Sequence, residues 1–298
     1  MPSYEFAHHL IDALDPILRP SVIPITALNL NPERMRQHGT GTLLSLADKQ
    51  FLITAWHVLR DALKHKVPLF ISDLSATCGA IPLEDLHIIH YDRPVVDGVP
   101  IIDVCILELT ESIVSGIPNR RFLNLSHVDL SGETKAGKYY IYGFPCETVE
   151  PDDNAKTIKY EDAFKYLTIP YDGDTDTLLG YDSRFHLLLH CPFEGSVTLG
   201  SAREPRPRDL IGISGCSLWR VFDEGANPEE WKPEHVRIVG VQSSQYKNKI
   251  AKGIRWRTVV AILWMKYPDL RQPIRVSHPD VTDDLDVLAG QLAELLET

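Results

Sequence analysis

Three side chains of the kinds that together make an activated nucleophile stand in three separate segments. His57 lies in Thr54-Ala55-Trp56-His57-Val58, Asp103 opens the buried-strand pattern of IIDVCILEL, and Ser214 sits between Gly212 and Gly215 in LIGISGCSLWR. A serine hydroxyl is a poor nucleophile until a base within hydrogen-bond reach takes its proton, and a histidine with its ordinary pKa of about 6.5 can do so near neutrality. An acid that accepts the other ring N–H fixes the tautomer and stabilises the imidazolium. Taken singly, each residue has a plain reading: a satisfied histidine at a strand-to-helix junction, a strand-edge acid, a turn serine. What the chain adds is all three in one order, His, Asp, Ser.

The elements that must position them read mostly as strands. From Val22 onward, short apolar or alternating runs are bounded by Gly, Pro, Asn and Asp: VIPITALN, GTLLSLA, FLITA, VPLFIS, DVCILEL and YYIYGFP, then FHLLLH, CSLWRVF and VRIVGVQSS. Asn124 to Gly137 is polar and reads as a linker between two β units, and residues 151–156 and 202–209 read as surface loops. Before the first strand, Phe6, Ala7, Leu10, Ile11 and Leu14 have helical spacing, which Pro16 and Pro20 are expected to end. After Gly253, WRTVVAILWMKYPDL is helical up to Pro268, and Leu285, Leu288, Leu292 and Leu295 mark a last amphipathic helix. Asp283, Asp284 and Asp286 favour its N-terminus, and its leucine stripe has to dock on something.

On these motifs the chain resembles the trypsin-like, or chymotrypsin-fold, serine peptidases. Thr54 to His57 is similar to the family's histidine motif, Asp103-Val104-Cys105-Ile106-Leu107 to its aspartate strand, and Gly212-Ile213-Ser214-Gly215-Cys216 to its nucleophile motif. Tyr142-Gly143-Phe144-Pro145 and Val239-Gly240-Val241-Gln242-Ser243 are weaker matches, and the resemblance spans roughly residues 21 to 265. It implies two antiparallel six-stranded β-barrels with the cleft between them, and roles for His57 as general base then acid, Asp103 as its orienting acid and Ser214 as nucleophile. The glycines around Ser214 permit a tight turn in which the N–H groups of Gly212 and Ser214 form the oxyanion hole. The resemblance places substrate-binding positions at Arg208, Asp209, Ser243, Ser244, Gln245 and Gly253, without a defined P1 preference. Two departures are visible: Ile213 replaces the acid that precedes the nucleophile in secreted members, and Cys216 replaces a second glycine. They point to the intracellular or viral branches, with an oxyanion loop that is preformed or ordered by an effector, and to Cys216 as a small core residue.

Composition narrows the alternatives. With 30 Lys+Arg against 41 Asp+Glu the formal charge is −11, which disfavours nucleic acid or an anionic membrane surface. Six of those acids and no Lys or Arg fall after residue 276, so much of the charge belongs to the final helix. The 44% apolar and 24% charged content is that of an ordinary globular protein. Five scattered cysteines without a CxxC pair suggest buried thiols and no zinc, and no stretch reads as a signal peptide or a membrane span. His186, His190 and Cys191 in FHLLLHC share a strand face without a second cluster to complete a metal site, and GISGC lacks the G-x-S-x-G of an α/β-hydrolase. Trp219, Trp256 and Trp264 read as core.

The expected organisation is all-β with short terminal helices: an N-terminal helical segment (1–20), a first barrel with His57 and Asp103 (21–130), a second barrel and following helix with Ser214 (131–268), and an acidic extension (269–298). The expected activity is that of a cytoplasmic serine endopeptidase acting through an acyl-enzyme, with no metal or organic cofactor, on a protein or peptide substrate. The alternative is a catalytically silent or effector-gated protease-fold module that binds a peptide or partner protein. The C-terminal helix is the expected self-docking or partner-binding element.

Overall fold

In the computed structural model the described residues are 4–297, apart from 31–32, 75–77, 82–85, 92–94, 97–98, 147–148, 153–156, 161–162, 193–210 and 247–248. A first antiparallel sheet contains β1 (Val22–Leu30), β2 (Glu33–Leu46), β3 (Lys49–Thr54), β4 (Leu69–Ser72), β5 (Cys78–Ile81), β6 (His87–Tyr91) and, after the small ribbon β7 (Val95–Val96) and β8 (Val99–Pro100), β9 (Val104–Glu108). Its strand order is β5-β4-β1-β2-β3-β9-β6, seven strands where six are expected; the extra one is the short β5 paired on β4. The second sheet contains β10 (Gly137–Gly143) and, after the ribbon β11 (Val149–Asp152) and β12 (Thr157–Tyr160), β13 (Phe164–Thr168), β14 (His186–His190), β15 (Ser217–Asp223), β16 (Arg237–Tyr246) and β17 (Ile250–Arg255). Its order is β13-β10-β15-β16-β17-β14, and an antiparallel bridge from Pro170 to Leu189 joins the two outer strands. The expected loop at 202–209 and the tip of the 151–156 turn lie outside the described residues.

The strands that carry the site are apolar on both faces, and the structure shows why. On β3, Leu52 packs with Ile23, Ile25 and Leu107 inside the first sheet, while Phe51 and Ile53 on the opposite face join a cluster with the helices. β9 divides the same way, Cys105 and Leu107 inward, Val104 and Ile106 outward. A strand buried on both faces reads as a continuous apolar run, which is the DVCILEL pattern. The outward faces are covered by α1 (Tyr4–Leu18), through fully buried Leu10, Leu14 and Leu18, and by α4 (Trp256–Lys266). Every residue of α4 from Thr258 to Trp264 is buried, as expected of a helix with no polar face.

Helix α1 continues through Pro16 instead of ending there. Pro16 removes a hydrogen bond to the Asp12 carbonyl, but it lies on the exposed face where water can serve that carbonyl, and burial of Leu14 and Leu18 holds the last turn. Asp15 fastens it to the second sheet, accepting from the Tyr142 hydroxyl (2.9 Å) and pairing with Lys165 (3.1 Å). The segment 124–137 is docked instead of loose. Leu125, Val128 and Leu130 are buried, and Val128 bridges to Ile238. The short α2 (Trp56–His65) and α3 (Glu111–Ser115) flank the first sheet, and α5 (Arg271–Ser277) leads to α6 (Thr282–Glu297).

Helix α6 docks on the chain itself. Leu285, Leu288 and Leu292 are buried in the same cluster as α4, and the Trp264 indole N–H donates to Asp286 (2.8 Å). Truncating a buried leucine costs the lost transfer energy and the residual cavity, so Leu288→Ala and Leu292→Ala should each destabilise by about 2–5 kcal/mol. Exposed Val287→Ala should stay within about 0.5 kcal/mol. Urea unfolding of the three variants checks this; equal effects would mean that α6 is not seated through its leucine stripe.

Candidate active site

His57 stands in the first turn of α2, directly after β3 runs out at Thr54. That helix has Ala55 at its N-cap, which offers no side-chain acceptor, and no acid in its first turn. Asp103, just before β9, supplies both from a neighbouring strand. One carboxylate oxygen accepts the His57 backbone N–H (3.1 Å), and the other lies 2.7 Å from His57 Nδ1. A carboxylate can only accept, so Nδ1 carries the proton and Nε2 presents a lone pair. The fork fixes the ring and caps the helix together, and the negative charge is favoured at a helix N-terminus.

Burial pulls the His57 pKa down, but the hydrogen bond and charge of Asp103 outweigh it, so the net shift is upward from 6.5. A raised folded-state value means that this pair stabilises the fold fully below the unfolded value and loses that contribution as pH rises through the folded one.

Ser214 lies in a turn closed by Cys216 N–H to Ile213 O (2.8 Å), with Gly215 at φ +86° in its third position. Only glycine fits. A Cβ at 215 would come within 2.1 Å of both Thr40 O and Thr54 Oγ1 and within 3.0 Å of Ala55 N. The Ser214 turn is therefore pressed against the end of β3, three residues before His57. Cys216 is fully buried behind it.

The carbonyls of residues 211–214 are each held. Ile211 O accepts from Cys146 N–H (2.8 Å), and Gly212 O from Thr40 Oγ1 (3.2 Å) and Gln37 Nε2 (3.4 Å). Ile213 O closes the turn, and Ser214 O accepts from Thr40 N–H (2.8 Å). In a trans peptide the N–H points opposite its carbonyl, so pinning Ile211 O and Ile213 O aims the Gly212 and Ser214 N–H groups away from those partners. Among the described residues neither N–H has an acceptor. Such a pair of free donors flanking a serine can stabilise an oxyanion. The one link missing from a serine–histidine–aspartate relay is its first. Among the described residues, Ser214 Oγ and His57 Nε2 make no hydrogen bond.

The remaining expected positions divide. Arg208 and Asp209 lie outside the described residues. Gln242 on β16 brackets the Ser214 turn, its carbonyl accepting from Gly215 N–H (2.8 Å) and its N–H donating to Cys216 O (2.9 Å). Ser243 is buried, with its hydroxyl 3.4 Å from Lys252 O, and Ser244 and Gln245 are partly exposed. Pairing of β16 with β15 ends at Val241, leaving the edge beyond Gln242 without a strand partner among the described residues. Gly253 faces Leu218 Cδ1 and Val241 O, at 2.4 and 3.0 Å from a notional Cβ, so its open side looks into the core of the second sheet.

No sequence signal places two further residues beside the site. His186, fully buried on β14, has Nε2 2.6 Å from Ile101 O, and its Nδ1 accepts the Asp182 N–H (2.9 Å). Burial first, then the Lys252 charge, lowers its pKa to about 4, so it is neutral and ties the second sheet to the chain two residues before Asp103. Thr40 is the other, with bonds to both Gly212 O and Ser214 O. Cys105 and Cys191 are buried like Cys216, Cys146 is partly so, and no group of metal-ligating side chains occurs among the described residues. No helix among them is long and apolar enough to cross a membrane.

No family model and no curated protein matches the chain. Among solved structures it is similar to the scabies mite inactivated protease paralogue S-I1, at 14% identity over 85% of this chain and 96% of that one, with a TM-score of 0.50. Deg5 matches at 15% identity over 86% and 91% of the two chains, TM-score 0.45. A thermostable serine protease, AL20, from an extremophilic microorganism matches at 10% over 79% and 91%, TM-score 0.43. The first likeness, with the two sheets, shows a chymotrypsin-like two-barrel fold.

Removing the Asp103 charge leaves burial as the main influence on His57. In Asp103→Asn the imidazole should therefore titrate below 6.5, against above 6.5 in the unsubstituted protein, as followed by NMR of the ring protons; an unmoved pKa would show that Asp103 does not govern the ring.

Proposed function

We propose that the protein is a serine endopeptidase. The observation that carries this is the combination of a histidine held by a buried carboxylate through two hydrogen bonds and a glycine-flanked serine with two free N–H donors, at one seam of a two-barrel fold. In the first step Ser214 Oγ bonds to the scissile carbonyl carbon while its proton passes to His57 Nε2. The carbonyl π pair moves to oxygen, where the Gly212 and Ser214 N–H groups stabilise it. Collapse breaks the C–N bond, and His57 returns the proton to the leaving amine. Water then repeats the sequence on the acyl-enzyme and frees the carboxylate. Asp103 keeps the tautomer correct throughout. The unpaired edge of β16 past Gln242 supports an extended peptide lying as an added antiparallel strand, so the substrate is a protein or peptide segment. None of these steps calls for a metal or organic cofactor.

A second reading, a silent or effector-gated module of the same fold, is favoured by the missing hydrogen bond between Ser214 and His57. The S-I1 neighbour is itself an inactivated paralogue, so the fold is compatible with either state.

A fluorophosphonate reacts only with an activated serine. Labelling of the wild type that disappears in both Ser214→Ala and His57→Ala is the expected outcome. Labelling that survives Ser214→Ala overturns the assignment, and labelling of the wild type only in the presence of a peptide or partner supports the gated reading. Loss of His57 should lower the labelling rate by a factor of about a thousand or more.

A further inference from the structure

One residue joins three of the segments around the site. Thr40, fully buried on β2, makes four hydrogen bonds to three separate pieces of chain. Its backbone N–H donates to Ser214 O (2.8 Å), and its carbonyl accepts from the Thr54 hydroxyl (2.8 Å) at the end of β3. Its own hydroxyl donates to Gly212 O (3.2 Å) and accepts the Phe144 N–H (3.1 Å) just past β10. The backbone bonds would survive any substitution that keeps β2 in place. The hydroxyl bonds are the ones that residue identity decides.

The hydroxyl has one proton, and the acceptor it serves is the carbonyl of the 212–213 peptide. That peptide lies between the two whose N–H groups have no acceptor among the described residues. Gly212 is at φ +88°, a conformation glycine holds without a steric penalty and can equally leave, so nothing within the residue keeps its carbonyl in place. The second donor to that carbonyl, Gln37 Nε2, is longer at 3.4 Å and is shared with Gly39 O. The Phe144 N–H gives the hydroxyl its direction: because it occupies an oxygen lone pair, the hydroxyl proton turns to Gly212.

We infer that the Thr40 hydroxyl is a positioning residue that sets the orientation of the 212–213 peptide, and through it the paired Gly212 and Ser214 N–H donors. It also makes that orientation depend on the end of β10 in the second barrel. Thr40 touches neither substrate nor the reacting atoms, and the inference rests on the hydrolytic reading for its consequence in rate but not for its consequence in structure.

The test uses the full chain with Thr40→Val, which keeps volume and removes the hydroxyl, Thr40→Ala as a smaller variant should valine fail to fold, and Thr40→Ser, which restores the hydroxyl. Two readouts are taken: the rate of fluorophosphonate labelling, and the amide NMR signals of Gly212 and Ser214. Losing a direct oxyanion donor costs about a hundredfold or more, so an indirect loss through Thr40 should slow labelling by about tenfold to a hundredfold. Thr40→Ser should return to within about threefold of the wild type, and the two amide signals should shift in valine or alanine and return in serine. Slow labelling in Thr40→Ser as well, or unmoved amide signals in the variants lacking the hydroxyl, overturns the inference. If the wild type does not label at all while the amide signals still follow the hydroxyl, the peptidase reading falls and the positioning role stands.

Discussion

A buried carboxylate with two jobs underlies the arrangement. Asp103 is 7% exposed, and an ionised acid that deep is tolerated only when its oxygens are satisfied. One oxygen takes the first-turn N–H that Ala55 cannot cap, and the other takes the imidazole proton. The helix start, the strand end and the ring are thereby settled by a single group, so the position of His57 follows from main-chain geometry and not from a freely rotating side chain. The same ring would be loose on a helix capped by its own serine or aspartate.

The demand this places on the fold is that β3 and β9 deliver their ends to one point at the seam with the second sheet. Strands that do so while apolar on both faces cannot remain bare; α1 and α4 join the cluster on their outward side, and α6 packs on α4. The terminal helices are in this sense part of the site's foundation. Across the seam the bonds are polar and specific, from His186 to Ile101 O and from Thr40 to Gly212 and Ser214. Apolar packing supplies most of the energy of association of the two halves, and these few directional bonds supply their register.

What could be read from the chain follows the same division. His57, Asp103 and Ser214 stand out in the sequence because the proposed chemistry would restrict the residue types and because glycine at 215 has a steric reason that leaves a local mark. The strands around them were legible through apolar runs, and α4 and α6 through their spacing. Pro16 misled because the rule concerns a lost hydrogen bond, whereas burial of Leu14 and Leu18 decides whether the last turn stays. Thr40 and His186 could not be found, since a threonine in a strand and a histidine in an apolar run look ordinary. Their partners lie 172 residues away at Gly212 and 85 away at Ile101, and no local pattern encodes such a pairing. Gly253 resembles a cleft residue in sequence, but which strand face a Cβ at that position would meet, here the one at Leu218, leaves no mark in the sequence.

The apolar cluster that contains Phe51, Ile53 and Val104 of the first sheet also contains Tyr140, Trp219 and Ile238 of the second, together with the leucines of α1 and α6. The two barrels are thus not separable folding units that happen to touch. Neither half of the chain encloses its own outward faces, and each would present a broad greasy surface if made alone. A ribosome emitting this chain cannot complete the shared apolar cluster until α4 and α6 have emerged. That cluster is therefore finished late in synthesis, and a polypeptide cut short before its last helix would leave part of it bare.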